Sequence, residues 1–169
     1  SFSFLRKDFK IPDKAFIFTC FNHNKKITPK EFDIWMRLLN EIKDGILWLS
    51  KSNNFSVINL KKEAEKRNVD PDRIKFAERL NKKEQHLARY KISDLGLDTF
   101  NYNGHTTTSD ALWTGLPVLT KTGKSFASRV AASILNSFDL NDLITSTEKE
   151  YEEKALYLAQ NRDEILKFK

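Results

Sequence analysis

Two rhythms alternate along this chain. Short, almost unbroken apolar runs occur at residues 15–20, 46–49 and 117–120, and between them apolar side chains recur every three or four positions. The run Ala15-Phe16-Ile17-Phe18-Thr19-Cys20 lacks the in–out alternation of a strand with one wet face, so it predicts a strand buried on both faces. A polar stretch, 21–27, separates it from Thr28-Pro29-Lys30-Glu31. That tetrapeptide opens a helix, with Thr28 and Glu31 as a capping box and Pro29 at the first helical position. Phe32, Trp35, Leu38, Leu39 and Ile42 then fall on one face.

The same alternation continues to the end of the chain. Gly45 punctuates before a second strand at 46–49, and a helix is expected through about 56–68. The turn Asp70-Pro71-Asp72 leads to a third strand, 73–77, and then a basic helix from near Lys82 to Tyr90. A fourth strand is expected at 94–98. A loop at 99–105 leads to a helix stopped by Gly115, a fifth strand at 117–120, a small-residue helix at 127–135 and a terminal helix at about 148–168. Strands alternating with helices imply an α/β fold, a parallel sheet covered on both faces. Such sheets bind ligands beyond the carboxyl ends of their strands, which directs attention to the loops 21–28, 78–85 and 99–107. Residues 1–13 read as a linker or lead-in segment, and 14–169 as one domain.

The stretch from Asp98 to Asp110 runs strand, loop, helix start. Gly104 permits a tight turn or a close approach, and Thr106 and Thr107 open a helix whose first amides point outward. Such a start binds anions through its free N–H groups and dipole, with His105 as a further donor, or it is a Ser/Thr-rich cap that holds only water. Lys26 leaves the first strand on the same edge of a parallel sheet. It is either a solvated loop lysine or a point charge for a diphosphate. Lys83, His86 and Arg89 share one broad helical face, as an ordinary basic surface or as a base- and ribose-binding one. Asp70-Pro71-Asp72 has the spacing of a metal-binding acidic pair, but it precedes a strand and so lies on the wrong edge; it reads as a turn. His23, His86 and His105 have no paired metal spacing, and no metal site is expected.

Composition narrows these readings little. The chain has 169 residues with 29 Lys and Arg against 23 Asp and Glu, a formal charge of +6. That excess suits an anionic ligand or a plain soluble surface. No nucleic-acid motif and no aromatic-studded basic strand accompany it, so nucleic acid is not an expected partner. Cys20 stands alone, which excludes an intrachain disulfide and fits a reducing, cytoplasmic setting. No apolar run approaches membrane-spanning length, so no membrane partner is expected. Ser1 and the uncapped pattern ending at Lys169 read as cuts from something longer.

Three segments, in order, carry a resemblance. Phe21-Asn22-His23-Asn24-Lys25-Lys26-Ile27, Gly104-His105-Thr106-Thr107 through Asp110-Ala111-Leu112-Trp113-Thr114-Gly115-Leu116-Pro117, and Ala127-Ser128-Arg129-Val130-Ala131-Ala132-Ser133 are similar to segments of the O-GlcNAc transferase family, glycosyltransferase family 41. The likeness extends over about residues 14–160. It implies a Rossmann-like domain, the C-terminal, donor-binding half of a GT-B glycosyltransferase. It further implies a missing N-terminal catalytic half, tetratricopeptide repeats and a protein acceptor. The donor implied is UDP-GlcNAc, used without a cofactor or metal and with inversion, to glycosylate Ser/Thr. By the same resemblance Lys26 is catalytic and meets the donor diphosphate, with His105, Thr106 and Thr107 cradling the phosphates. His86 packs on uracil, Arg89 hydrogen-bonds it, and Lys83 and Asp110 approach the ribose. Two positions depart from the family pattern: His23 replaces a Gln, and Leu80-Asn81-Lys82 replaces an Ala-Pro type. Relatives using other nucleotide sugars, or a non-catalytic nucleotide-binding module, are the alternatives.

Overall fold

The computed structural model describes residues 2–169. Six strands form one sheet: β1 (Phe16–Cys20), β2 (Gly45–Ser50), β3 (Ile74–Ala77), β4 (Leu95–Leu97), β5 (Val118–Lys121) and β6 (Ile144–Thr145). Every pairing is parallel, in the order β3-β2-β1-β4-β5-β6. β1 is central and buried at every position, as its uninterrupted apolar run requires. The chain reverses direction of assembly between β1 and β4, and loops leaving those two strands diverge to leave a crevice.

The helices are α1 (Pro29–Glu41), α2 (Asn54–Lys66), α3 (Lys83–Tyr90), α4 (Thr106–Trp113), α5 (Val130–Ser137), α6 (Glu148–Gln160) and α7 (Arg162–Ile165). All five residues of the expected α1 face are buried, and so are Ile34 and Met36. α1 packs on the sheet beside α6, where Trp35 Nε1 donates to Tyr151 Oη at 3.0 Å and Arg37 forms a two-pronged pair with Glu152. α4 ends where Gly115 takes a φ of +91°. Leu116 N reaches Ala111 O at 2.9 Å and Gly115 N reaches Leu112 O at 3.0 Å, the paired bonds of a left-handed helix stop.

Three expectations need adjustment. The terminal helix is not continuous: it breaks at Asn161, because Arg162 is drawn to the Lys14 carbonyl at 3.0 Å and Asp44 at 2.9 Å. The small-residue helix begins at Val130, since Ser125 and Ser128 spend residues 125–128 on a hydrogen-bonded turn. The two-residue β6 was not expected; its register comes from Thr145 Oγ1 donating to Thr120 O at 2.8 Å, a contact between distant segments. Ahead of β1, Arg6 binds Asp94 at 3.0 Å and the Ala15 carbonyl at 2.6 Å, while Phe9 packs on Trp48 at 4.9 Å. No helix among the described residues is long and apolar enough to cross a membrane.

A candidate phosphate and nucleoside site at the sheet's carboxyl edge

The loop after β4 is built around one buried carboxylate. Asp98 is 2% exposed. Its Oδ1 accepts from Gly104 N at 2.9 Å, Thr99 N at 2.9 Å and Asn22 Nδ2 at 3.3 Å, and its Oδ2 accepts from Thr120 Oγ1 at 2.7 Å. One side chain thus ties together the exits of β1, β4 and β5. Two more polar groups complete the loop. Glu31, the capping residue of α1, turns its second oxygen to Phe100 N at 2.8 Å, and Asn103 binds Thr99 O at 2.8 Å and Ala131 N at 3.1 Å. A loop with so many satisfied buried groups is held in one shape.

That shape presents the start of α4. Its hydrogen bonding begins with Ser109 N to His105 O at 3.0 Å, so the amides of Thr106, Thr107 and Thr108 are the orphan donors of the first turn. His105 and Thr106 are exposed and Thr107 is partly buried. From the other side of the crevice comes Lys26, the last residue of a 3-10 turn, Asn24–Lys26, that follows β1. Its Nζ lies 3.5 Å from the Asn103 carbonyl. The ammonium therefore stands beside the same loop whose next residues open α4. Gly104 cannot carry a Cβ here: one would collide with Thr107 Oγ1 and Asn22 Oδ1.

A second region adjoins the first. His86, on α3, brings Nε2 to 3.7 Å from Asp110 Oδ2 on α4, and its Nδ1 lies 2.7 Å from Arg89 Nη2. Arg89 is always a donor, so Nδ1 accepts and the proton sits on Nε2, facing Asp110. Burial and the neighbouring Arg89 guanidinium hold His86 below its usual pKa, which keeps the ring neutral near pH 7. Phe21 and Tyr90 pack against it at 6.3 and 5.3 Å between ring centres. Arg89 is 4% exposed; its guanidinium lies 5.0 Å over Phe21 and donates to Glu78 O at 2.7 Å. Lys83 starts α3 in solvent. The expected trio thus occupies different depths, with Lys83 outside, His86 at the surface and Arg89 beneath it. A cavity of about 530 Å³, bordered by Phe21, His23, Ser52, Leu80, His86 and Arg89, opens at the carboxyl ends of β1 to β3. Its size suits a small organic ligand.

The sequence points to Lys26, Lys83, His86, Arg89, His105, Thr106, Thr107 and Asp110, but not to Asn22, Asn103 or Asp98 as organisers. Their only signal is a polar residue directly after an apolar strand or inside a loop. Asp70 lies at the opposite edge of the sheet, where it caps the 3-10 turn before β3 by accepting from Asp72 N at 2.9 Å. Among the described residues, no group of three or more His, Cys, Asp or Glu converges as a metal site would need.

Burial pushes the Asp98 carboxyl up to about 6, against the pull of its four donors. The native state therefore keeps a proton, between the ordinary 3.8 and about 6, that the unfolded chain has released. Stability contributed by this group falls as pH rises through that window and is lowest above it. Asp98→Asn keeps the acceptor Oδ1 and removes the titrating group. We expect it to flatten the slope of stability between about pH 4 and 6. Urea melts across pH check this, and an unchanged slope contradicts it.

Residues 3–169 match the model of Glycosyl transferase family 41. The chain is 37% identical over 160 residues to the UDP-N-acetylglucosamine–peptide N-acetylglucosaminyltransferase of Caenorhabditis elegans, covering 95% of this chain and 14% of that protein. It is 35% identical over 161 residues to the probable enzyme of that name, SEC, of Arabidopsis thaliana, covering 95% of this chain and 16% of that protein. The chain thus spans about a seventh of each relative's length. A mutant O-GlcNAc transferase of Thermobaculum terrenum superposes with a TM-score of 0.86 at 30% identity, over 91% of this chain and 30% of the other. A C-terminal domain of a group 1 glycosyl transferase from Francisella tularensis shares the fold alone, with a TM-score of 0.53 at 15% identity, over 96% of this chain and 89% of that domain. The six-stranded parallel sheet is that of a GT-B glycosyltransferase domain, and the chain belongs to glycosyltransferase family 41.

Proposed function

We propose that this chain is the donor-binding domain of an enzyme that transfers N-acetylglucosamine from UDP-GlcNAc to protein Ser/Thr hydroxyls, with inversion and without a metal. The observation that carries this reading is the meeting of Lys26 with the Asn103–Gly104 loop, across the crevice, beside the orphan amides of α4. An ammonium and a helix start facing one crevice form a site for a diphosphate. His86 and the adjoining cavity then receive the uracil and ribose, with Asp110 directed towards the ribose; Arg89, 4% exposed and committed to Glu78 O and His86 Nδ1, braces His86 from below instead of hydrogen-bonding the uracil. Lys83, exposed at the start of α3, approaches the ribose from the solvent side. A neutral His86 ring stacks on a base without repelling a cation or desolvating a charge of its own.

In the transfer, an acceptor oxygen bonds to the anomeric carbon from the side opposite the diphosphate. The bond from that carbon to the β-phosphate oxygen breaks, and UDP leaves with the electron pair. Lys26 and the amides of Thr106 and Thr107 stabilise the charge that grows on the leaving oxygen, the role a metal fills elsewhere. The hydroxyl proton goes to a base outside this domain. An N-terminal catalytic half supplies acceptor contacts, and tetratricopeptide repeats precede it in the whole protein. A cytoplasmic setting fits the single, buried Cys20.

Calorimetry with UDP and uridine, with and without EDTA, tests the assignment. UDP is expected to bind more tightly than uridine, by about tenfold or more, from one or two charge-assisted phosphate contacts, and EDTA is expected to change neither. Binding abolished by EDTA and restored by manganese would remove the metal-free reading. Tighter binding of another nucleoside diphosphate, such as GDP, would favour a relative with a different donor.

A further inference from the structure

Thr107 has two ways to serve an anion at α4: through its backbone amide and through its hydroxyl. The hydroxyl is already committed. Its Oγ1 donates to Asn22 Oδ1 across the crevice. The orientation of that amide is chemically set, because Asn22 Nδ2 faces the Asp98 carboxylate at 3.3 Å and Thr99 Oγ1 at 2.8 Å, and a carboxylate accepts. The Asn22 oxygen must then face Thr107, and an amide oxygen only accepts. A hydroxyl has one proton to give, so Thr107 has none left for a phosphate oxygen, which also only accepts. Asn22 is 4% exposed, and its own carbonyl is fastened by Ser50 Oγ at 3.0 Å. It is a fixed post between β1, Asp98 and the first turn of α4.

We infer that Asn22 is a positioning residue for the phosphate-binding loop, and that the Thr107 hydroxyl acts through Asn22 rather than on the phosphate. This rests on the diphosphate site proposed above. Its consequence is that the pair sets where the free amides of Thr106 and Thr107 point. Binding of the phosphates then comes from Lys26, His105 and the backbone. Breaking either end of the Asn22–Thr107 link frees the same turn, so the two side chains are one device and not two contacts.

The test is a double-mutant cycle read with UDP and with uridine by calorimetry. Asn22→Ala and Thr107→Val are each expected to weaken UDP about tenfold and to leave uridine within about twofold, while Thr107→Ser, which keeps the hydroxyl, stays near wild type. The double variant is expected to lose about tenfold, no more than either single change, because coupled residues are not additive. A loss near a hundredfold, the product of the singles, would overturn the inference while leaving the diphosphate site standing. A wild type that binds UDP no better than uridine overturns both. If Asn22→Ala does not fold, amide exchange in the ligand-free protein decides. Thr107→Val is then expected to speed exchange at Gly104 and Thr107 relative to Thr107→Ser, and unchanged exchange overturns the inference.

Discussion

Lys26→Ala is expected to weaken UDP binding by about one to two orders of magnitude, the equivalent of a charge-assisted phosphate contact of roughly 1.5–3 kcal/mol. The reason is its placement. The side chain is partly buried at the crevice between β1 and β4, and the only partner it has among the described residues is a 3.5 Å approach to the Asn103 carbonyl. A cation so lightly engaged keeps its charge for a ligand. The same looseness means that the fold barely depends on it, so the melting temperature is expected to stay within about a degree or two of wild type, as for most partly exposed substitutions. Uridine has no phosphate, so its affinity is expected to be unchanged. His86→Ala makes the contrast, because loss of the ring penalises UDP and uridine alike. Equal losses of both ligands in Lys26→Ala, measured by calorimetry at one fixed salt concentration, would place Lys26 outside the phosphate site. Raising the salt is expected to shrink the Lys26 effect, since the ammonium is open to screening.

Gly104→Ala is expected to act on both binding and stability, and more severely. A Cβ at this position meets Thr107 Oγ1 and Asn22 Oδ1 and lies 3.2 Å from Asn22 Cγ. Neither side chain can step aside cheaply. Thr107 is bonded to Asn22, and Asn22 is held by Asp98 and Thr99. Relief requires the turn to shift, which strains the Gly104 N–Asp98 bond of 2.9 Å as well. Overpacking of this kind costs about 1–3 kcal/mol. It also moves the amides that open α4, so UDP affinity is expected to fall about a hundredfold or more, with the two penalties drawn from one displaced turn. Thermal melts and UDP titration together check it. A variant with wild-type stability and wild-type UDP affinity would show that the turn is softer than its hydrogen bonds imply.

Much of this protein was legible in its sequence, for identifiable reasons. Five of the six strands announce themselves because β1, β2 and β5 are buried on both faces and need continuous apolar runs, while β3 and β4 lie between turn signals. α1 was legible down to its first residue, since Thr28, Pro29 and Glu31 act on groups within one turn of each other. Local chemistry of that sort is written in adjacent residues. Lys26 and the Gly104–Thr107 segment were legible as candidates because a parallel sheet puts every strand exit on one edge.

Only the tertiary structure decided what those residues do together. Nothing near Asp98 in the sequence says that it will gather Asn22, Gly104 and Thr120, because those partners lie far along the chain and meet only when β1, β4 and β5 are side by side. Glu31 shows the same division within one residue: its cap of α1 is a contact three residues long, and its bond to Phe100 N spans 69. The depth of the α3 residues follows the same rule. Lys83, His86 and Arg89 share a face by helical spacing alone, but the packing of Phe21 and the Glu78 carbonyl buries Arg89 and leaves Lys83 in water. Sequence periodicity determined which residues form β1 to β5 and the carboxyl edge of the sheet, because those depend on neighbours in the chain, whereas β6 pairs through Thr145 and Thr120, far apart in sequence. The hydrogen-bonded loop that aims the α4 amides was decided in space, because a buried polar group must find its partner wherever the fold brings one.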